Sequence, residues 1–307
     1  MKNSDIKLSL KGFNYYCRFI ENPFSQYDPI VLLSGAFQNM DSWKNFTKVL
    51  RKDFSVVLID LPGSGQSDFL PYHFGGDFLV EAINNMFNQL KIKKANIIAA
   101  SYGTPTAFNF AAKYPEKVAH LIMGGVMKEM PEERKKDVER IYEYEQKGDL
   151  KAFARETTKL LLNCDECKNV KRSSLVKRVM ECSLARISKA DTRNMAENTR
   201  RILYHGALDL KKAACVPALV YTGEYDHFTR PEYCREVAGY FNNATYTTVK
   251  KADHLFHIEQ TSTVIEMGIR FVKGEALESL TQLNKIEYLS RKVTPLRPMN
   301  MARNMAS

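Results

Sequence analysis

The stretch ANIIAASYGTPTAFNFAAKYP, residues 95–115, joins the pattern of a buried strand to the pattern of a helix. An apolar run ends at Ala100, Ser101 follows, and Gly103 opens a segment of small residues. A serine on such a turn is typical of a nucleophile elbow, G-x-S-x-G. Ala99 replaces the first glycine, at a strand end that requires small size more than a positive φ. The pattern predicts a serine nucleophile at 101; the alternative is an ordinary strand end.

Strand and helix patterns alternate on both sides of this stretch. Helical patterns separate most of the strand candidates, which predicts an α/β fold with a mostly parallel central sheet flanked by helices. The strand candidates are residues 14–20, 29–34, 54–60, 95–100, 118–124, 217–223 and 244–249. The helix candidates between them are residues 39–51, 76–92, 103–114, 229–242 and 259–272.

The alternation stops between residues 128 and 213, where four helical patterns follow one another without a strand candidate. We interpret 128–213 as a helical cap inserted over the carboxyl ends of the strands, where open parallel sheets bind ligands. The remaining core is then 1–127 and 214–273. Residues 274–307 form a C-terminal tail that we expect to be partly flexible, since its pattern fades after about Leu289.

Three further segments supply partners for Ser101 in the order that a serine hydrolase of this architecture requires. The acid Asp226 follows the strand candidate at 217–223, and His254 follows the one at 244–249. The order Ser, Asp, His predicts a catalytic triad. The strand ending in SGAF (34–37) predicts one oxyanion-hole amide at Ala36, and the residue after the nucleophile predicts the other at Tyr102.

Competing residues surround this set. His257 lies three residues after His254 and is assigned to the start of a helix, while Asp253 is expected to point elsewhere. Asp60 ends a different strand and is assigned to a turn. The other four histidines have no partner pattern and are expected to be structural. They are His73, His120, His205 and His227.

The triad predicts acyl transfer. His254 takes the proton of Ser101 as general base and returns it as acid, and Asp226 fixes the tautomer of the imidazole. An acyl-Ser101 intermediate then passes to water, an alcohol or a thiol. Phe37 and Phe228 are candidate substrate-binding residues, as are Tyr102 and the leucines at 160–162, although core packing is the alternative for most of them.

Charge and cysteine content suggest partners and compartment. The net charge of +10 is partly local, because residues 168–201 contain ten Lys or Arg and three acids. This segment predicts either a solvated helix face or a docking patch for an acidic partner; no basic groove with interleaved aromatic residues indicates nucleic acid. No signal-peptide or membrane-spanning pattern is present, which predicts a cytoplasmic protein. Cys164 and Cys167 are then reduced thiols, since a zinc site needs more ligands, and no metal or cofactor is expected.

The motifs together resemble the α/β-hydrolase superfamily. DLPGSGQSD (60–68) is similar to its D-x-P-G-x-G-x-S turn, and the resemblance covers about 14–126 and 214–272. Within the superfamily, the set SGAF, AASYG, GEYDHFT and DHLFHIE resembles the 3-(3-hydroxyalkanoyloxy)alkanoate synthases and the 3-hydroxyacyl-carrier-protein thioesterases or transacylases. This resemblance implies a carrier-protein-bound acyl substrate, with the basic cap helices as the docking surface. The group's H-x-x-x-x-D motif is absent, which argues against transfer to coenzyme A.

Three functions follow as hypotheses. The first is a serine enzyme that cleaves a thioester or ester of a fatty or 3-hydroxyfatty acyl group. The second is a small-ester carboxylesterase or a carbon–carbon hydrolase with the same triad. The third is a catalytically silent binding protein, because the fold alone does not fix function. Epoxide hydrolase and dehalogenase chemistry is disfavoured, since those enzymes carry a carboxylate at the position of Ser101.

Overall fold

The computed structural model describes residues 5–163 and 168–290, with only the backbone of Lys189 and Ala190. Cys164 and Cys167 therefore lie outside the described residues, as does the tail beyond 290. Within the described part, nine strands form one sheet in the order β1-β2-β4-β3-β5-β6-β7-β8-β9. The strands are β1 (Asp5–Leu10), β2 (Phe13–Ile20), β3 (Ile30–Leu33), β4 (Val56–Asp60), β5 (Ala95–Ala100), β6 (Val118–Gly124), β7 (Ala218–Gly223), β8 (Ala244–Val249) and β9 (Glu287–Leu289).

The sheet is parallel at its centre and antiparallel at its edges. Strands β4, β3, β5, β6, β7 and β8 pair in parallel, whereas β1 with β2, β2 with β4 and β9 with β8 are antiparallel. Every residue of β3, β4, β5 and β7 is buried, as expected for strands covered on both faces. The predicted α/β fold is confirmed. The edge strands β1 and β9 were not among the strand candidates.

Helices cover both faces of the sheet, and four more follow one another between β6 and β7. One apolar cluster packs β-strand side chains against α2, α3 and α8, and another packs the opposite face against α1 and α10. The helices are α1 (Lys44–Leu50), α2 (Gly76–Gln89), α3 (Gly103–Lys113), α4 (Glu132–Gln146), α5 (Leu150–Leu161), α6 (Ser173–Leu184), α7 (Lys189–His205), α8 (Pro231–Ala238), α9 (Phe256–Glu259) and α10 (Thr261–Lys273).

The four helices between β6 and β7 form a separate apolar cluster, and two of them, α5 and α7, begin at side-chain caps. The side chain of Asp149 accepts the amide of Ala152 at the start of α5, and that of Ser188 accepts the amide of Asp191 at the start of α7. Their inward side chains pack on one another and on Phe37 and Phe228, two residues of the loops that follow β3 and β7. These contacts position α4–α7 above the carboxyl edge of the sheet.

Candidate active site

Ser101 lies on a strained turn between β5 and α3. Its φ of +43° is in the left-handed region, which side chains other than glycine rarely adopt. The Ser101 amide donates to Gly124 O at 2.8 Å, and the Thr104 amide donates to Ser101 O at 2.8 Å. A Cβ at Gly103 would lie 2.8 Å from the carbonyl oxygens of both Leu33 and Ser34, so only glycine lets α3 start this close to β3. Backbone strain held in place by such contacts is typical of a functional residue.

The structure brings Ser101, His254 and Asp226 into one hydrogen-bonded chain. The Oγ atom of Ser101 lies 3.0 Å from Nε2 of His254, and Nδ1 of His254 lies 2.9 Å from Oδ2 of Asp226. Asp226 follows β7 and His254 follows β8, so the ends of neighbouring parallel strands place them together. Residues 153 positions apart along the chain therefore meet at hydrogen-bond distance, as a nucleophile and its base must.

Asp226 is buried among donors that favour its ionised form. Its Oδ1 accepts the amides of Phe228 and Thr229, and its Oδ2 accepts the hydroxyls of Thr222 and Thr229. Burial alone would raise the pKa of Asp226, but the charge of His254 and these hydrogen bonds hold it low, at about 2. Burial likewise opposes the charged form of His254, yet Asp226 outweighs it and raises the pKa of His254 above 6.5. The pair is thus poised to stabilise an imidazolium.

The competing residues take other partners. Asp253 accepts the amides of His254 and Asn163 rather than the imidazole N–H of His254. Asp60 accepts the amides of Met40 and Gln66, the turn-stabilising role expected from the sequence. Nε2 of His257 lies 2.8 Å from Nε2 of Gln38, away from Ser101. These contacts leave His254 as the histidine beside Ser101.

Ala36 and Tyr102, whose amides are predicted to form the oxyanion hole, lie in the same cleft as Ser101. Ala36 follows β3 in a turn where Phe37 adopts a φ of +63°, and Tyr102 directly follows Ser101 at the start of α3. Among the hydrogen bonds of the described residues, neither amide donates to a protein acceptor. Two free N–H groups beside a nucleophile can stabilise an anionic oxygen.

Two clefts meet at Ser101. The first contains about 890 Å³ of empty space, and the second contains about 700 Å³. Ser101, Tyr102 and Phe228 border both, while Phe37 borders the first. Helices α4, α5 and α7 supply six apolar side chains to the wall of the first cleft. These side chains are Val138, Ile141, Leu160, Leu161, Met195 and Ile202.

One cation of the basic segment is buried, contrary to the expectation of a solvated or docking face. Arg201 is 3% exposed and donates all five N–H groups, three of them to the carbonyls of Leu70, Pro71 and Phe74. The other two go to Tyr102 Oη and Asn198 Oδ1. A cation can be buried here because carbonyl dipoles solvate it. Sequence reasoning missed this network, and Arg201 has no local signal that separates it from its exposed neighbours.

Six of the nine other cations of that segment fall into two groups. Arg193 and Arg200 lie over the rings of Phe69 and Tyr72, at 3.8 Å and 3.6 Å from the ring centroids. On or beside α6, four cations are exposed and take part in no ion pair among the described residues. They are Arg172, Lys177, Arg178 and Arg186. Exposed cations without an ion-pair partner therefore lie on or beside α6 within the described residues.

No group of three or more His, Cys, Asp or Glu side chains within 5–163 and 168–290 has the arrangement of a metal site. No helix in that part of the chain has the length and hydropathy to span a membrane.

Comparison with known proteins identifies the family and several relatives. A family model described as alpha/beta hydrolase fold matches residues 28–261. A 2-hydroxy-6-oxononadienedioate/2-hydroxy-6-oxononatrienedioate hydrolase of Comamonas testosteroni is 26% identical over 125 residues, which is 39% of this chain and 43% of that protein. An uncharacterized hydrolase of Saccharomyces cerevisiae is 30% identical over 94 residues, 30% of this chain and 32% of that protein. The matched stretches thus span less than half of these curated relatives.

Solved structures share the fold over a larger part of the chain. An alpha/beta hydrolase enzyme from a Medee basin deep-sea metagenome library has a TM-score of 0.78 at 21% identity, covering 88% of this chain and 98% of that chain. The enol-lactonase of Burkholderia xenovorans LB400 has a TM-score of 0.75 at 19% identity, covering 87% and 100%. At such identities the likeness concerns the fold alone.

Proposed function

Because the chain belongs to the α/β-hydrolase family, we propose that it is a hydrolase, that Ser101 is its nucleophile and that it acts through an acyl-enzyme on an ester or thioester. The observation that carries this proposal is the chain of two hydrogen bonds, 3.0 Å and 2.9 Å long, from Ser101 through His254 to Asp226. It starts on a strained elbow and ends on a buried carboxylate. A serine, a histidine and a carboxylate in this order are the parts that acyl transfer requires.

The reaction proceeds in two halves. His254 Nε2 removes the Ser101 proton as Oγ attacks the carbonyl carbon, and the amides of Ala36 and Tyr102 donate to the oxyanion. His254 then gives the proton to the leaving group, leaving acyl-Ser101. Water, or an alcohol in the same position, is activated by His254 in the second half, and Ser101 is regenerated. Asp226 stabilises the imidazolium in both halves.

The clefts favour a substrate that is neutral near its scissile bond. The first cleft has no Lys, Arg, Asp or Glu among the described residues that line it, and the second has Arg201 alone. Since every N–H of Arg201 is already donated, a substrate carboxylate would have to displace a protein oxygen. The apolar wall from α4, α5 and α7 suits a hydrocarbon chain. We therefore propose a fatty or 3-hydroxyfatty acyl group in the first cleft, beside Phe37 and Phe228, with residues 128–213 acting as the cap.

A second candidate function rests on the relatives. The names of the Comamonas testosteroni protein and of a Burkholderia cepacia protein, 27% identical over 125 residues, are those of hydrolases acting on 2-hydroxy-6-oxo-dienoates. Carbon–carbon cleavage or lactone hydrolysis needs the same serine, base and oxyanion donors. The absence of an available cation in the clefts' described lining argues for the neutral ester, and a direct comparison of substrates decides. A purely ligand-binding role is the remaining alternative.

An acidic carrier protein is a proposed partner in the cytoplasm. The exposed cations of α6 lie beside the aliphatic side chains of Leu175 and Val179, which are 60% and 48% exposed. Carrier proteins present acidic helices, and charge complementarity increases the rate of encounter. A double variant that carries Arg172→Glu and Arg178→Glu is expected to have a higher KM for a carrier-protein thioester. Its hydrolysis of a free p-nitrophenyl ester should be unchanged. Equal KM values of the wild type and the double variant for the thioester would contradict this docking surface.

The test compares substrates on the wild type and on Ser101→Ala. We expect turnover of p-nitrophenyl hexanoate or decanoate and of a 3-hydroxyacyl-carrier protein thioester, with little turnover of a 2-hydroxy-6-oxo-6-phenyl-dienoate. Mass spectrometry of the products identifies the acceptor. Free acid indicates transfer to water, whereas an ester of two hydroxy acids indicates transfer to an alcohol. Unchanged turnover in Ser101→Ala would contradict the nucleophile, and dominant dienoate cleavage would select the second candidate.

A further inference from the structure

Two polar residues that the triad does not use hydrogen-bond across the first cleft. The Gly35 amide donates to Oε1 of Gln38 at 2.8 Å, and Nε2 of Gln38 lies 2.8 Å from Nε2 of His257. The amide nitrogen of a glutamine can only donate, and the Gly35 contact fixes which end is the oxygen. Nε2 of His257 must therefore accept, so His257 is neutral and carries its proton on Nδ1.

The Gln38 side chain closes the turn that presents the Ala36 amide. This turn runs from Gly35 to Gln38, and Phe37 within it adopts a φ of +63°. A residue other than glycine holds such a conformation only when surrounding contacts fix it. The bond from the Gly35 amide to the Gln38 side chain is such a contact, and it spans the position of Ala36. The direction of the Ala36 N–H therefore depends on where the Gln38 side chain is held.

His257 holds that side chain from the opposite element. It lies on α9, three residues after His254, and the intervening Phe256 is 1% exposed and packs on Tyr221. Burial and the nearby charge of His254 lower the pKa of His257 to about 4, which keeps its Nε2 an acceptor at neutral pH. The oxyanion turn and the histidine loop are thus joined by one hydrogen-bonded pair, 219 residues apart in sequence.

We infer that Gln38 and His257 are positioning residues that aim the Ala36 amide at the developing oxyanion. This inference rests on the proposed function, in which that amide stabilises the tetrahedral intermediate. Neither side chain bonds to Ser101 in the structure, so neither is a member of the proton-transfer chain. Their loss therefore weakens binding of the transition state more than binding of the substrate.

The experiment uses Gln38→Leu, His257→Leu and the double variant of the full chain, with Gln89→Leu on the exposed end of α2 as control. With p-nitrophenyl hexanoate we expect kcat to fall roughly 10- to 100-fold and KM to change less than about threefold, the pattern of a lost transition-state contact. Because the two residues act as one unit, kcat of the double variant should be no lower than kcat of the less active single variant.

Inhibitor affinity gives a readout that a merely structural role would not change. Ser101 is expected to add to the carbonyl of a hexyl trifluoromethyl ketone, giving a tetrahedral adduct that carries an oxyanion. The matching secondary alcohol has no carbonyl and forms no such adduct. The ketone should bind the Leu variants more weakly by the same factor as kcat falls, while affinity for the alcohol is retained. Gln38→Glu still accepts the Gly35 amide with one carboxylate oxygen, and its other oxygen accepts a hydrogen bond from His257 once Nε2 carries a proton; the variant should keep most of kcat and raise the pKa of His257 seen by NMR.

The outcomes separate this inference from the proposed function. Full activity in Ser101→Ala would remove the proposed function and this inference with it. An inactive Ser101→Ala together with unchanged kcat and unchanged ketone affinity in folded Gln38→Leu and His257→Leu would overturn this inference alone. Additive losses expressed mainly in KM would also overturn it, because they would indicate substrate contact rather than positioning.

Discussion

The sheet and the helices α4–α7 both bury apolar side chains, but the central strands are buried on both faces and the helices on one face only. Strands β3, β4, β5 and β7 are buried along their whole length; Ser101 follows β5, Asp226 follows β7, and His254 follows the neighbouring strand β8. Helices α4–α7 bury one face each, and part of that face lines the first cleft. We therefore expect the core region to determine the reaction and helices α4–α7 to determine the size and polarity of the substrate.

The largest expected effect lies on the core side of this comparison. Replacing His254 by Gln removes the general base while keeping a polar side chain of similar length. We expect kcat to fall about 10⁴- to 10⁶-fold, as for other serine triads, and the ratio of activities on short and long acyl esters to stay constant. His73→Gln, in an exposed loop, is the control. A change in chain-length preference instead of in kcat would reverse the assignment of the two regions.

Asp226 is expected to set both rate and pH dependence. Only neutral His254 can accept the Ser101 proton, and its pKa is raised, so kcat/KM should increase with pH through an inflection above about 6.5. Asp226→Asn removes the charge that raises this pKa. It should lower kcat about 10³- to 10⁴-fold and move the inflection to lower pH.

Esters hydrolysed over pH 5–9 provide this measurement. An inflection at the same pH in the wild type and in Asp226→Asn would show that Asp226 does not act on the titrating group. An inflection well below 6.5 in the wild type would contradict the direction of the His254 shift.

A smaller effect is expected on the side of α4–α7. Ile141 is 4% exposed and lines the first cleft, so Ile141→Ala enlarges the space for an acyl chain. Each methylene in an apolar pocket contributes about 1–3 kcal/mol to discrimination between substrates. We therefore expect the optimal chain length to increase, with kcat/KM for longer chains rising about 10-fold relative to kcat/KM for shorter ones. The measurement is a series of p-nitrophenyl esters from acetate to laurate, with the exposed Glu139→Ala as control. An unchanged optimum would place the acyl chain elsewhere.

The last effect concerns the stability of the helical region and is expected to leave activity unchanged. Glu145 on α4 is 3% exposed, neither of its oxygens has a partner among the described residues, and burial raises its pKa to about 8. The folded chain keeps this proton up to about pH 8, whereas the unfolded chain releases it near pH 4.5. Folding therefore becomes less favourable as pH rises between these values.

Glu145→Gln removes this titration. The free energy of unfolding of the wild type should decrease between pH 5 and pH 8 by roughly 2–4 kcal/mol more than that of the variant. Urea titrations at both pH values measure the difference, with the exposed Glu143→Gln of the same helix as control. Parallel pH dependence in the wild type and Glu145→Gln would indicate that Glu145 is already ionised in the folded chain.

The sequence predicted what local pattern and chain order determine. Apolar runs and helical patterns predicted the α/β sheet, which is confirmed, and the order of Ser101, Asp226 and His254 predicted residues that the structure brings together. Strand β1 was missed because its sequence, DIKLSL, alternates polar and apolar residues, and β9 was missed because it has only three residues. The burial of Arg201 depends on carbonyls 127 to 131 residues away, and the Gln38–His257 pair joins distant loops. Neither leaves a pattern within one segment.

The most direct test of the central claim, that Ser101 is a nucleophile activated by His254, is labelling by a fluorophosphonate followed by peptide mass spectrometry. We predict one phosphonyl adduct in the wild type, on Ser101. Labelling should be strongly slowed in His254→Gln, and Ser101→Ala should form no adduct. An adduct on another residue, or labelling of folded His254→Gln at the rate of the wild type, would contradict it.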